Sequence, residues 1–126
     1  FLIGFILIMI YNGNPTISPY FIIILLWYPC FENLFSIIRK FLINKDPMKP
    51  DNNHLHHYLY LTIQKKFRLN NLLSNNLSSI IINLFNLSIF YFASLNINYT
   101  LIQFLILFIS ISSYLVIYFS LKKKVS

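Results

Sequence analysis

All three histidines of the chain stand together, in Pro50-Asp51-Asn52-Asn53-His54-Leu55-His56-His57. An imidazole can donate or accept a hydrogen bond at each ring nitrogen, and it changes charge near neutral pH. Three of them beside Lys45 and Lys49, at the start of a helix, suit an anion held by N–H donors. Zinc is a poorer match, because neighbouring residues rarely give tetrahedral geometry and neither a cysteine nor paired acids stand nearby. The plainer alternative is that the rings are solvated beside lipid headgroups. The second residue with chemical potential is Glu32, an acid within an apolar stretch. A carboxylate in such surroundings is expensive unless protonated, paired or facing a wet cavity, so it is either a functional acid or a hydrogen bond to a neighbouring helix.

The elements that must position these residues follow from local chemistry. Pro50 followed by Asp51, Asn52 and Asn53 supplies helix-start chemistry and predicts a helix from His54 to about Arg68. On that helix His54 and His57 share a face, and His56 turns toward the flank of Leu59 and Ile63. The rest of the chain is of another kind. Of 126 residues, 57% are hydrophobic and only 10% charged, and the mean hydropathy is +0.65, which excludes an ordinary water-soluble domain. The expected fold is an all-α, polytopic transmembrane helix bundle forming a single membrane domain over 1–126. Its spans are 1–11 (cut short), 19–43, 77–95 and 99–121, each meeting or approaching the roughly 20 apolar residues that cross a hydrocarbon core of about 30 Å.

Ten Lys and Arg against three acids give a net charge of +7. The basic residues fall in clusters rather than along a face, pointing to lipid headgroups and phosphate-bearing partners and away from nucleic acid. They flank the connection 44–76 or end the last span, whereas the connections 12–19 and 96–98 carry no charge. The bias toward Lys and Arg makes loop 44–76 and the C-terminus cytoplasmic. A straight helix over 19–43 puts Arg39 and Lys40 at headgroup level and Glu32 about 10 Å deeper. Cys30, the lone cysteine, reads as a packed thiol. Spans 77–95 and 99–121 carry no chemical signal. The chain opens in mid-helix at Phe1 without an initiator Met or the flanks of a signal peptide, and reads as the C-terminal portion of a larger multi-span protein.

The order Asn14-Pro15, Ser18-Pro19, Tyr28-Pro29-Cys30-Phe31-Glu32-Asn33-Leu34, Ile38-Arg39-Lys40, Pro47, Pro50-Asp51 and His54-Leu55-His56-His57 resembles a known membrane family over about 1–60. It is similar to the polyprenyl-phosphate N-acetylhexosamine-1-phosphate transferases of glycosyl transferase family 4, more distantly to the phospho-N-acetylmuramoyl-pentapeptide transferases. The resemblance implies transfer of a sugar-1-phosphate from a UDP-sugar to a polyprenyl phosphate at the bacterial cytoplasmic membrane, with Mg²⁺ as cofactor and a homodimer as a possible assembly. It implies that His54, His56, His57 and Asp51 bind substrate, with Glu32, Arg39 and Lys49 as further candidates. The catalytic and metal-binding aspartates of the family stand in earlier loops, the last just before a helix start like Leu2-Ile3-Gly4-Phe5, so this chain alone should be inert. Two departures stand out: the family commonly has Asp-Thr at Glu32-Asn33, and an aromatic or Ser-Pro-Phe stretch at Asp46-Pro47-Met48. Two rival readings need no family. One is a non-catalytic membrane protein whose His and Lys loop binds anionic lipid or senses pH. The other is a transporter half with Glu32 as a proton relay, which leaves Pro50-Asp51 and the histidines unexplained.

Overall fold

The computed structural model of the protein describes residues 2–44, 46, 49 and 53–125. Among these there are helices and no strands: α1 (Leu2–Gly13), α2 (Pro19–Leu25), α3 (Trp27–Leu42), α4 (Leu55–Phe67), α5 (Asn71–Ser94) and α6 (Thr100–Val125). With 24 and 26 residues, α5 and α6 are long and apolar enough to cross a membrane. At ~1.5 Å per residue they measure ~36 and ~39 Å. Their outward faces expose Ile80, Leu84, Leu87, Leu101, Phe108 and Val116, an apolar surface suited to acyl chains rather than water. The molecule is an all-α membrane helix bundle.

The expected second span is not one straight helix. α2 and α3 meet at 74°, and they amount to a third crossing only if the bent pair counts as one. Pro29 explains the break: it lacks the N–H that would bond the Leu25 carbonyl, and its ring would clash with that oxygen. The chain tightens instead, with Leu26 N–H donating to the Ile23 carbonyl at 3.1 Å. Depth therefore cannot be counted from Pro19 along a single axis, although Glu32 and Arg39, both on α3, keep their separation of about 10 Å along that helix. α3 is two-faced. Trp27, Glu32, Ser36 and Lys40 turn inward, while Asn33, Leu34, Ile37 and Phe41 are exposed. Cys30 lies on the outer stripe and is exposed, not packed.

At one end of the bundle the two uncharged connections meet, Ser18 N–H donating to the Ile97 carbonyl at 3.0 Å. Gln103, fully buried, closes the α5–α6 hairpin there by donating from Nε2 to the carbonyls of Ala93 (2.6 Å) and Asn96 (2.8 Å). Toward the other end, α4 stops where Arg68 adopts a left-handed conformation (φ 52°). Asn70 then caps α5 by accepting the Leu73 N–H at 2.9 Å. The core runs through Ile24, Trp27, Leu55, Tyr58, Ile89, Ala93, Tyr114 and Tyr118. Its densest seam is aromatic: Tyr114 meets Phe31 edge-on at 5.0 Å, and Tyr118 meets Phe35 at 4.9 Å and Tyr58 at 5.4 Å. That seam locks α3, α4 and α6 together beneath the histidines.

Candidate functional site

Glu32 sits where α3, α4 and α6 converge, and the residue is 9% exposed. Oε1 accepts the backbone N–H of Leu55 at 2.9 Å and faces Nδ1 of His54 at 3.0 Å. Oε2 accepts the hydroxyl of Tyr114 at 2.7 Å. The first amide of a helix has no partner within the helix and lies at the positive end of its dipole, so a carboxylate there is favourable twice over. Glu32 is thus the cap of α4, contributed by a residue 23 positions earlier.

This corrects the expected local cap. His54 occupies the cap position, and its side chain makes no bond back to the helix. Asn53 spends its side-chain oxygen on the Tyr58 hydroxyl, 2.9 Å away. Asp51, together with Lys45, Pro47, Pro50 and Asn52, lies outside the described residues. The helix itself, Leu55–Phe67, falls within a residue of the span expected at each end. Glu32 takes the Leu55 amide and the His57 amide bonds the His54 carbonyl at 3.1 Å, so two of the first three amides of α4 are already committed.

The histidine geometry also differs from a helical wheel. His54 is extended (φ −87°, ψ 155°), one residue before α4, so helical spacing does not govern it. Its ring stacks on His56, centroids 5.8 Å apart and planes 14° apart, while His57 stacks on Tyr60 at 6.2 Å. His56, His57, Tyr60, Asn71 and Asn75 line an open pocket of about 320 Å³ between α4 and the start of α5. Its lining consists of imidazole, phenol and amide groups. Partial burial holds His56 below the ordinary histidine value of 6.5; His54 and His57 push the same way, and Glu32 opposes them.

Arg39 and Lys40 are both engaged within the molecule. Arg39 donates from Nη1 to the Tyr118 hydroxyl at 2.8 Å and lies over the rings of Phe35 and Tyr118, 5.6 Å from each centroid. Tyr118 in turn donates to the Asn53 carbonyl at 3.2 Å, and the Lys40 ammonium donates to the Lys49 carbonyl. The Lys49 side chain is exposed. Tyr114, Tyr118, Tyr60, Asn71 and Asn75 were not anticipated. Tyr114 and Tyr118 are one helical turn apart on α6, a spacing that could have marked a shared polar face within an apolar span.

Among the described residues no group of three His, Cys, Asp or Glu side chains could hold a metal ion. Mg²⁺ wants carboxylate and water oxygens in octahedral array. Both oxygens of Glu32 are committed to donors and the remaining groups are imidazoles, so these residues do not fit that ion. No family model matches the chain, and neither a curated protein nor a solved structure matches it. The arrangement offers an anchored imidazole, a second held neutral, and a polar pocket beside them at the edge of an apolar bundle.

Proposed function

We propose that the chain is the C-terminal part of an enzyme transferring a sugar-1-phosphate from a UDP-N-acetylhexosamine to a membrane polyprenyl phosphate, the opening step of cell-surface polysaccharide synthesis in the bacterial cytoplasmic membrane. An oxygen of the polyprenyl phosphate attacks the β-phosphorus, the bond to the bridging oxygen breaks, and UMP leaves with the electron pair. His54, His56 and His57 form one wall of the diphosphate pocket, where fixed donors steady the charge that moves between the two phosphates. Mg²⁺ would have to be held by aspartates outside this chain, where it would neutralise phosphate charge.

The observation that carries this reading is the pinning of the histidine segment, through Glu32, to the junction of α3, α4 and α6. A patch for anionic lipid has no use for a triply bonded acid, and two of its candidate cations, Arg39 and Lys40, hold the loop instead. A proton relay needs a carboxyl free to change partners, and Glu32 has three donors on two oxygens. The test uses membranes carrying the full-length protein, radiolabelled UDP-N-acetylglucosamine and polyprenyl phosphate. Label should pass to lipid with release of UMP, and His54→Ala should lower the rate about 100-fold, the scale of losing a fixed donor. Release of UDP instead of UMP, or an unchanged rate in His54→Ala, would overturn the assignment. The upstream coding sequence should also contain adjacent aspartates and a Gly-Asp motif in cytoplasmic loops.

A further inference from the structure

We infer that Glu32 is a positioning residue that fixes which nitrogen of His54 meets a phosphate-bearing ligand: Nδ1–H is held by the carboxylate, and Nε2 is presented outward, bare in the neutral ring and a donor to phosphate once it takes up a proton. The ligand class rests on the proposed function; the state of the ring does not.

The argument starts at one oxygen. Oε1 of Glu32 already accepts the Leu55 backbone amide, whose hydrogen cannot move. As a carboxylate oxygen Oε1 can only accept, so the ring nitrogen 3.0 Å from it carries the hydrogen. The tautomer of His54 is thus set by a carboxylate that also holds a backbone amide. Nε2, on the far side of the ring, has no hydrogen-bond partner among the described residues, and the side chain is 25% exposed. Tyr114 from α6 fixes the carboxylate from behind, and the His56 ring runs nearly parallel to that of His54, centroids 5.8 Å apart. Rotation of the imidazole would cost the Glu32 contact and the stacking together. Carboxylates that orient a working histidine by its other nitrogen are a general device, and losing such a partner typically weakens the site about 10- to 100-fold.

The experiment labels histidine nitrogens in the full-length protein in lipid nanodiscs and assigns His54 by its loss in His54→Ala. Neutral His54 should show a protonated Nδ1 and a bare Nε2; a protonated Nε2 would overturn the inference. Glu32→Gln keeps an acceptor oxygen and should keep that pattern, as should Tyr114→Phe. Glu32→Leu, at unchanged helix content by circular dichroism, should lose it and weaken UDP binding by about tenfold or more. If Glu32→Leu does not fold, the wild-type and Glu32→Gln spectra still decide. On adding UDP, the His54 signal should move most at Nε2. Movement at His56 and His57 alone would overturn the outward role of Nε2 and spare the diphosphate reading. No movement at any of the three rings would overturn the ligand class and spare the tautomer.

Discussion

His56 carries the clearest pH signature outside the apolar spans. Partial burial and two neighbouring imidazoles hold it below 6.5, so in the folded protein it keeps its neutral form to lower pH than it would in the unfolded chain. The sign follows. As pH falls past 6.5 the unfolded chain takes up the proton first, so this contribution to stability is complete above that value and is lost as pH approaches the lower folded midpoint. His56→Gln should flatten the fall in melting temperature between about pH 7.5 and about pH 5.5, measured in detergent with His57→Gln as the comparison. A nitrogen-detected titration should give His56 a midpoint below 6.5; a midpoint above it would contradict the packing described. Glu32 belongs to the same scale. Glu32→Ala removes the acceptor for an amide, an imidazole and a buried phenol, and should lower stability by about 2–4 kcal/mol. Glu32→Gln should recover more than half of that loss, read by thermal or denaturant unfolding.

At the scale of elements, the bend between α2 and α3 decides where the inward face of α3 points. Pro29→Ala restores the missing donor and should straighten the pair. Spin labels at positions 20 and 41 should move apart by about 5 Å, from the geometry of two rods of ~9 and ~22 Å leaving a 74° bend. An unchanged distance would place the cause of the bend in tertiary packing rather than in the proline. Much of this level was legible in the sequence. The four hydrophobic stretches and the helix after the histidines could be read because periodicity and turn residues are local signals. The break at Leu26 was legible too, from Pro29, but a continuous apolar run outweighed it. The cap of α4 was not. Asn53 and its neighbours carry the right chemistry for a cap, yet the acceptor came from Glu32, and nothing within 23 residues of sequence announces a tertiary bond. For the same reason α6 read as featureless: Tyr114 and Tyr118 gain meaning only once α3 and α4 lie against them.

For the whole molecule, the meeting of connections 12–19 and 96–98 at one end, and of Arg39 with Tyr118 toward the other, sorts the charges along the bundle. Lys65, Lys66 and Arg68 before α5 and Lys122, Lys123 and Lys124 at the end of α6 should then share the cytoplasmic face. With the exposed Cys30 replaced by serine, Lys124→Cys should react with a membrane-impermeant thiol reagent only from the cytoplasmic side, and Asn98→Cys only from the opposite side. The reverse pattern would invert the topology.

The tie from Tyr114 through Glu32 to Leu55 has a consequence for biogenesis. The start of α4 is finished by a side chain made earlier and steadied by one made 59 residues later, so this tie closes only after α6 has been synthesised as far as Tyr114. A nascent chain stalled ahead of α6 would carry all three imidazoles and lack the phenol that steadies the Glu32 carboxylate.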